Sequence, residues 1–233
     1  MSLDNAVFAL LGGGIPIIFW LWFWLKEDKK KPEPMFMLIA SFVAGAISVI
    51  PSIFAEAAIK NLYNSYLSAL SFFSALLLLS YAIVEELFKF VFVYFVALRQ
   101  KYNDEPIDSM IYLITGALGF SALENTLFLL NPGYVSSMYD LLLTGNLRFV
   151  GATLLHTVAS ASIGVAMAFA FHKTRRQKFA YFVVGFIVAV LLHFIFNYSL
   201  SVLDASILKV FAFVWVLAIV LLLLFEKVKK IKS

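Results

Sequence analysis

The chain has 233 residues, of which 63% are hydrophobic and only 14% are charged. Together with a mean hydropathy of +0.94, this composition excludes a soluble globular domain and predicts a polytopic membrane protein. The net charge of +4 does not indicate a nucleic-acid partner, because the basic residues gather in short segments between apolar runs. The absence of cysteine excludes disulfides, thiolate metal ligands and cysteine nucleophiles.

Seven apolar runs follow one another, and each is long enough to cross a bilayer as a helix. The predicted spans cover residues 6–25, 35–54, 67–98, 107–130, 149–172, 179–200 and 207–225. No repeat or soluble segment separates them, so we expect a single all-α transmembrane domain, a helical bundle over residues 1–233. The third run has 32 residues, about 48 Å as a helix, so a tilted or kinked helix is expected there.

Two connectors on the other side of the membrane differ from the short basic ones. Pro51 is expected to end the second span, which leaves residues 56–66 as a weakly amphipathic connector. The longest loop, residues 131–148, contains a proline, a glycine and an apolar patch at residues 141–143. We expect this loop to lie on the membrane surface.

The distribution of basic residues predicts the orientation. The segments 26–34, 99–106, 173–178 and 226–233 hold 14 of the 18 Lys and Arg residues, and the alternate connectors contain almost none. The positive-inside rule then places the N-terminus outside and the C-terminus in the cytoplasm. This is the topology of a multi-pass protein of the cell membrane, with the lipid bilayer as its surroundings.

The third run carries three ionisable residues within five positions, Glu85, Glu86 and Lys89. Each costs on the order of 3 kcal/mol to insert into a membrane, which makes them functional candidates. On a helix Lys89 lies one turn after both glutamates. It can therefore neutralise one carboxylate and leave the other available. The alternative is a purely structural ion pair between helices.

Further polar residues lie in three other predicted spans at a similar depth. Measured at 1.5 Å per residue from the predicted cytoplasmic ends, the set lies about 18 to 27 Å deep. It consists of Glu85, Glu86, Glu124, His156, His193 and Asn197. His193 and Asn197 share a helix face, and His156 belongs to a row of small residues that allows close packing. These patterns predict a buried polar cavity.

Carboxylates and imidazoles without Ser or Cys partners at motif spacing favour an activated water over a covalent nucleophile. A glutamate base with His and Asn donors facing the oxyanion suffices to hydrolyse a peptide bond. Alternatively, Glu85 or Glu86 with Glu124, His156 and His193 could hold a zinc ion with one open position. Spacing does not distinguish a metal-free site from a zinc site. A proton- or cation-coupled transporter that uses the carboxylates as a relay is a further alternative, although no internal repeat supports it.

Four motifs carry a family resemblance. EELFK at residues 85–89 resembles the EExxK motif of the PrsW family of intramembrane proteases, and FSALEN at residues 120–125 is similar to its FxxxEN motif. His156 and HFIFN at residues 193–197 resemble its histidine motifs. The resemblance covers spans three to six in the right order. It implies catalytic roles for Glu85, Glu86, Glu124, His156, His193 and Asn197, supported by Lys89 and Asn125.

The wider relatives are the type II CAAX prenyl endopeptidases and bacteriocin-processing enzymes, with the pattern EExxR, FxxxH and HxxxN or HxxxD. By that analogy Glu85 is the water-activating base, and His193 with Asn197 donates to the oxyanion. This sequence has Lys89 in place of Arg and Glu124 in place of His. The second change leaves open which residue acts together with Glu85 on the water. His156 is the candidate.

The PrsW resemblance also implies a substrate class. It implies site-1 cleavage of a membrane-spanning anti-sigma factor at or near its extracytoplasmic side. The expected partner is therefore a membrane-anchored protein or peptide. The expected cofactor is either none or zinc.

Overall fold

The computed structural model describes residues 3–26, 31–66, 72–131, 137–203 and 205–231. Within these ranges the chain folds into eight α-helices and has no strand. The helices are α1 (Leu3–Leu25), α2 (Met35–Tyr66), α3 (Phe73–Val93), α4 (Asp108–Leu130), α5 (Met138–Leu147), α6 (Thr153–Phe169), α7 (Arg175–Ser201) and α8 (Ile207–Val228). A π-helical turn, Tyr94–Leu98, extends α3, and a second one, Arg148–Ala152, joins α5 to α6. The prediction of an all-α bundle is confirmed.

Five helical segments of the described chain are long and apolar enough to cross a membrane. They are Met35–Tyr66, Asp108–Leu130, Leu143–Phe169, Arg175–Ser201 and Ile207–Val228. A shorter apolar helix, Ala9–Leu25, precedes them, and α3 carries the three ionisable residues in its middle. The protein is thus a multi-pass helical membrane bundle, whereas the count of seven spans and the orientation stay predictions.

Helix α4 lies at the centre of the bundle and packs against α1, α2, α3 and α6. All of its residues from Asp108 to Ser121 are buried. Its two largest side chains in this part, Tyr112 and Phe120, are 0% and 1% exposed. Over this length α4 is therefore surrounded by protein and not by lipid.

Glycines let α2 approach α4 closely. A Cβ atom on Gly45 would lie 1.8 Å from the carbonyl oxygen of Gly116, and a Cβ on Gly119 would lie 1.9 Å from the carbonyl oxygen of Phe42. Because these neighbours are backbone atoms, they cannot move aside as a side chain could. Small residues at such interfaces are typical of helix packing in membranes. The hydrophobic effect does not drive helices together in lipid, so close van der Waals packing of the backbones does.

Gly45→Val is therefore expected to lower the thermal stability of the purified protein strongly, because α2 and α4 would have to separate. Gly14→Val is a matched control, since a Cβ at Gly14 meets no atom within 4 Å. The melting temperatures of both variants in the same detergent check this expectation. Equal melting temperatures would contradict the close α2–α4 packing.

The prediction that the second helix loosens at Pro51 and ends near residue 54 was wrong, because α2 continues through Pro51 to Tyr66. Membrane helices tolerate proline where nearby groups satisfy the freed backbone. Pro51 lacks the N–H that would bond the Ile47 carbonyl. The neighbouring serine hydroxyls bond other carbonyls of the same helix, Ser48 Oγ that of Gly45 at 2.6 Å and Ser52 Oγ that of Ser48 at 2.8 Å. The continuation carries Glu56 toward α3.

The prediction of a surface loop over residues 131–148 was also wrong in part. Residues 132–136 lie outside the described residues, but α5 and the following π-helical turn cover residues 138–152. The apolar span therefore begins at Leu143, six residues before the predicted start. Arg148, the last residue of the predicted loop, lies within this helical segment and donates to Asn125 and Glu124 on α4.

The basic connectors at residues 26–34 and 99–106 meet at one end of the bundle. Lys31 Nζ donates to Asp104 Oδ2 at 2.7 Å and lies 3.8 Å from Glu105 Oε1. The predicted topology requires these two connectors to lie at the same end of the bundle. The start of the predicted third span, residues 67–71, lies outside the described residues, and the tilt expected for that span stays a prediction.

Candidate active site

Glu86 on α3 is the hub of a buried polar cluster and is 0% exposed. Its Oε1 accepts from Lys89 Nζ at 2.5 Å and from His193 Nδ1 on α7 at 2.9 Å. Its Oε2 accepts from Ser160 Oγ on α6 at 3.1 Å. These three donors satisfy a carboxylate that would otherwise be costly to bury. Glu86 thus joins α3, α6 and α7.

Glu85, its neighbour, contacts no Lys or Arg side chain among the residues that the structure describes. Its Oε2 is buried and makes no hydrogen bond within the described structure. This oxygen lies 3.8 Å from His193 Nε2 and 4.0 Å from His156 Nδ1. Lys89 thus neutralises Glu86 and forms no ion pair with Glu85. The sequence did not determine which of the two glutamates Lys89 would pair with. Glu85 is the carboxylate that remains available for chemistry.

His156 on α6 lies between Lys89 on α3 and Glu124 on α4. Its Nδ1 is 2.9 Å from Lys89 Nζ, and its Nε2 is 3.1 Å from Glu124 Oε2 on α4. The same Glu124 oxygen accepts from Arg148 Nη2 at 2.6 Å. The imidazole rings of His156 and His193 lie 5.0 Å apart in a T-shaped arrangement. The two histidines therefore converge on Glu85 from different helices.

The predicted inward row on α6 explains how His156 reaches this position. Ser160 contacts Glu86, one turn after His156. One turn further, a Cβ atom on Gly164 would lie 2.7 Å from Met110 Cα. The small residues bring α6 against α4 and turn His156 inward, as expected from their spacing.

The two asparagines predicted for the site, Asn125 and Asn197, lie on α4 and α7. Asn125 is 4% exposed; its Nδ2 donates to Thr153 Oγ1 at 3.0 Å, and its Oδ1 accepts from Arg148 Nε at 2.5 Å. Asn197, one turn after His193, lines a cavity of about 530 Å³. Glu124, Arg148, His156 and His193 also line this cavity. Every sequence-predicted site residue thus lies in or beside one cluster.

The hydrogen-bond partners determine the proton positions on both imidazoles. Glu86 and Glu124 have cationic partners and act as acceptors, so His193 Nδ1 and His156 Nε2 each donate to a carboxylate. The other nitrogen of each neutral ring then carries a lone pair. Those two nitrogens are the ones that face Glu85.

The donor set fits a metal ion. One ligand atom each from Glu85, His156 and His193 lies within 4.8 Å of the others, and the Glu85 oxygen has no competing hydrogen bond. Two histidines and one carboxylate are a common catalytic zinc set, and carboxylates that hold the opposite imidazole nitrogens are its usual support. Glu124, which the sequence included among the ligands, lies beyond His156 and supports that ring instead.

Sequence reasoning missed two residues of the cluster. Glu56 on α2 is half-buried and its carboxyl makes a hydrogen bond with that of Glu85; the expected helix end at Pro51 concealed it. Arg148 was assigned to a loop. Its signal in the sequence is that it is the only Lys or Arg between residues 102 and 172. A lone arginine at a span end away from the basic connectors is a polar residue that requires a partner.

Fold and cluster together define a multi-pass membrane protein with a buried carboxylate–histidine site. The model of a family described as PrsW family intramembrane metalloprotease matches residues 33–224. The chain therefore belongs to the PrsW family. No solved structure matches it significantly.

Three curated relatives illustrate the similarity. Protease PrsW of Bacillus subtilis is 28% identical over 203 residues, which cover 85% of each chain. Protease PrsW of Geobacillus kaustophilus is 27% identical over 200 residues, 83% of this chain and 80% of the relative. Protease PrsW of Oceanobacillus iheyensis is 26% identical over 193 residues, 83% of each chain. The comparisons give no support to the transporter alternative.

Proposed function

We propose that this protein is an intramembrane endopeptidase in which Glu85 activates the water that attacks a peptide bond. The observation that carries the proposal is the buried Glu85 Oε2, which accepts no hydrogen bond within the described structure and faces two imidazoles that line a cavity. A buried carboxylate without a counter-ion has no structural benefit. It is the arrangement that a general base requires.

In this scheme Glu85 takes a proton from water as the water oxygen bonds to the substrate carbonyl carbon. The carbon–nitrogen bond then breaks, and the proton is passed to the leaving amine. The Asn197 amide, on the cavity wall, donates to the developing oxyanion. His193 donates there only when both its ring nitrogens carry protons, because Nδ1–H is engaged by Glu86. Glu86, Lys89 and Glu124 hold the imidazoles in place.

A metal ion would be held by Glu85, His156 and His193, and it would supply Lewis acidity and a more acidic water. Lys89 would then yield its contact with His156 Nδ1. The carboxylates of Glu86 and Glu124 already hold the opposite nitrogens. The roles of these two carboxylates are therefore the same with or without the ion.

The cavity indicates where a substrate segment binds. Its walls are mostly aliphatic and aromatic side chains from α3 to α8, including Leu78, Phe128, Phe196 and Phe211. Glu124 lies 16 residues after Asp108, about 24 Å along α4 from the Lys31–Asp104 end. With that end in the cytoplasm, the site lies toward the extracytoplasmic side. A membrane-anchored protein cut near that side fits this placement, and an anti-sigma factor is one such substrate.

Filling the cavity is expected to block cleavage without unfolding the protein. Ala152 lines the cavity one turn before His156, so Ala152→Trp places a large ring where the substrate binds. Ala212→Trp on α8 is the matched control, because Ala212 is exposed. We expect cleavage to be lost only in the first variant, at similar melting temperatures. Equal cleavage rates would place the substrate elsewhere.

Reconstitution tests the function itself. Purified protein in lipid vesicles is incubated with a panel of single-span membrane proteins, with and without a zinc chelator. Cleavage that survives the chelator assigns the metal-free site, and cleavage that is lost with chelator and restored by zinc assigns the metal site. Proton flux without cleavage of any substrate would overturn the proposal.

A further inference from the structure

Arg148 occupies an unusual position between two helices. It is the first residue of the π-helical turn Arg148–Ala152, which joins α5 to α6. Such turns insert one extra residue into a helix and are frequent at functional sites. The guanidinium lies 4.3 Å from the ring centre of Phe128 on α4, and its side chain is 15% exposed. It is thus held against α4 at the cavity wall.

The guanidinium contacts two consecutive residues of α4. Its Nε donates to Asn125 Oδ1 at 2.5 Å and its Nη2 donates to Glu124 Oε2 at 2.6 Å. A planar guanidinium presents its donors at fixed angles, so two bonds fix the orientation of both acceptors. Asn125 is fixed further by its bond to Thr153. The Glu124 carboxylate therefore has a defined position and keeps its negative charge.

The effect continues to His156 through a shared atom. Glu124 Oε2, which accepts from Arg148, is also the oxygen 3.1 Å from His156 Nε2. A carboxylate held by an arginine is only an acceptor, so the proton must be on Nε2 of the neutral ring. His156 Nδ1 then presents its lone pair toward Lys89 Nζ and the Glu85 carboxylate.

We infer that Arg148 is a positioning residue for the proposed hydrolysis and acts through Glu124 to fix the tautomer and orientation of His156. The inference rests on the proposed function. If the Arg148–Glu124 ion pair only joined α4 to the α5–α6 junction, His156 would not have to contact the same Glu124 oxygen as Arg148. The inference holds for both versions of the site, because a ring that binds a metal through Nδ1 also carries its proton on Nε2.

The test combines kinetics with nitrogen NMR of the histidine rings. The chain has three histidines, and His172→Gln leaves the two of the site. In metal-free protein in lipid, we expect His193 to carry its ring proton on Nδ1 and His156 on Nε2. In Arg148→Gln the His156 signals are expected to become those of a mixture of both tautomers, and kcat is expected to fall about 10- to 100-fold with KM unchanged.

Three variants make the result specific. Arg148→Lys keeps the charge beside Glu124 and is expected to retain the His156 tautomer and part of kcat. Arg176→Gln removes an exposed arginine and should change neither quantity. Glu124→Leu removes the acceptor oxygen itself, so its His156 signals test the tautomer if Arg148→Gln does not fold.

Two results would overturn the inference. Unchanged His156 signals in Arg148→Gln would show that Arg148 does not act on the ring. A raised KM at constant kcat would show that Arg148 binds substrate instead. If the wild-type protein cleaved no substrate, the proposed function would fail and the role in hydrolysis with it, whereas the NMR result would still decide whether Arg148 fixes His156.

Discussion

Glu85→Gln is expected to lower the rate of substrate cleavage by about 10²- to 10⁴-fold, the range that a general base contributes. The substitution keeps the shape of the side chain but removes its basicity. The fold should stay intact, because Glu85 has no ion pair with Lys89 to lose, its Oε2 accepts no hydrogen bond, and an amide in its place can still bond the Glu56 carboxyl. Cleavage of a single-span substrate by purified protein in lipid, with the melting temperature measured in parallel, checks both expectations.

Glu86→Gln is the informative comparison for Glu85→Gln. The two residues are adjacent and both are buried, but only Glu86 pairs with Lys89 and His193. We expect Glu86→Gln to lose stability as well as activity, and Glu85→Gln to lose activity alone. If Glu86→Gln were stable and inactive while Glu85→Gln remained active, the roles assigned to the two glutamates would be reversed.

Lys89→Met is expected to destabilise the protein by about 3–5 kcal/mol, the cost of leaving one partner of a buried ion pair without the other. Lys89 and Glu86 are 1% and 0% exposed, and their charged atoms lie 2.5 Å apart. The double variant Glu86→Gln/Lys89→Met should recover part of this loss, since no uncompensated charge remains. Denaturant unfolding of the four proteins in one mixed micelle measures the coupling free energy.

The chain contains a matched surface pair for this measurement. Lys229 and Glu226 have the same spacing as Lys89 and Glu86 and a similar separation of 2.7 Å, but their side chains are 27% and 62% exposed. Lys229→Met is expected to cost less than about 1 kcal/mol, because water screens such pairs. Equal costs at Lys89 and Lys229 would show that the buried pair contributes no more than a surface one.

The sequence was sufficient to predict that the polar residues of the site lie close together, because the membrane restricts where polar side chains on apolar helices can lie. Polar residues on apolar helices must face the bundle interior, and the fixed rise of a helix converts residue numbers into depth. These two constraints placed Glu85, Glu124, His156 and His193 in one layer. In the structure the four residues are in contact or within 4.0 Å of a common neighbour. Periodicity within each span was sufficient for this prediction.

Contacts that depend on distant helices could not be predicted in the same way. The pairing of Lys89 with Glu86 depends on where His193 and Ser160 approach α3, and sequence spacing allowed Glu85 equally. Glu56 reaches the site only because α2 continues past Pro51, where tertiary packing outweighs the tendency of proline to end a helix. Arg148 was hidden for a similar reason, since helical structure begins at Met138, within the segment that was predicted to be a loop.

The measurement that tests the central claim most directly is cleavage in water enriched in oxygen-18 by protein reconstituted in lipid. Mass spectrometry of the products identifies the cut bond and the origin of the new carboxyl oxygen. Direct attack by water activated at Glu85 predicts one heavy oxygen atom in the new carboxyl group and no trapping of an acyl intermediate by hydroxylamine. It also predicts a loss of product with Glu85→Gln. A hydroxamate product, or full cleavage by the Glu85→Gln variant, would contradict it.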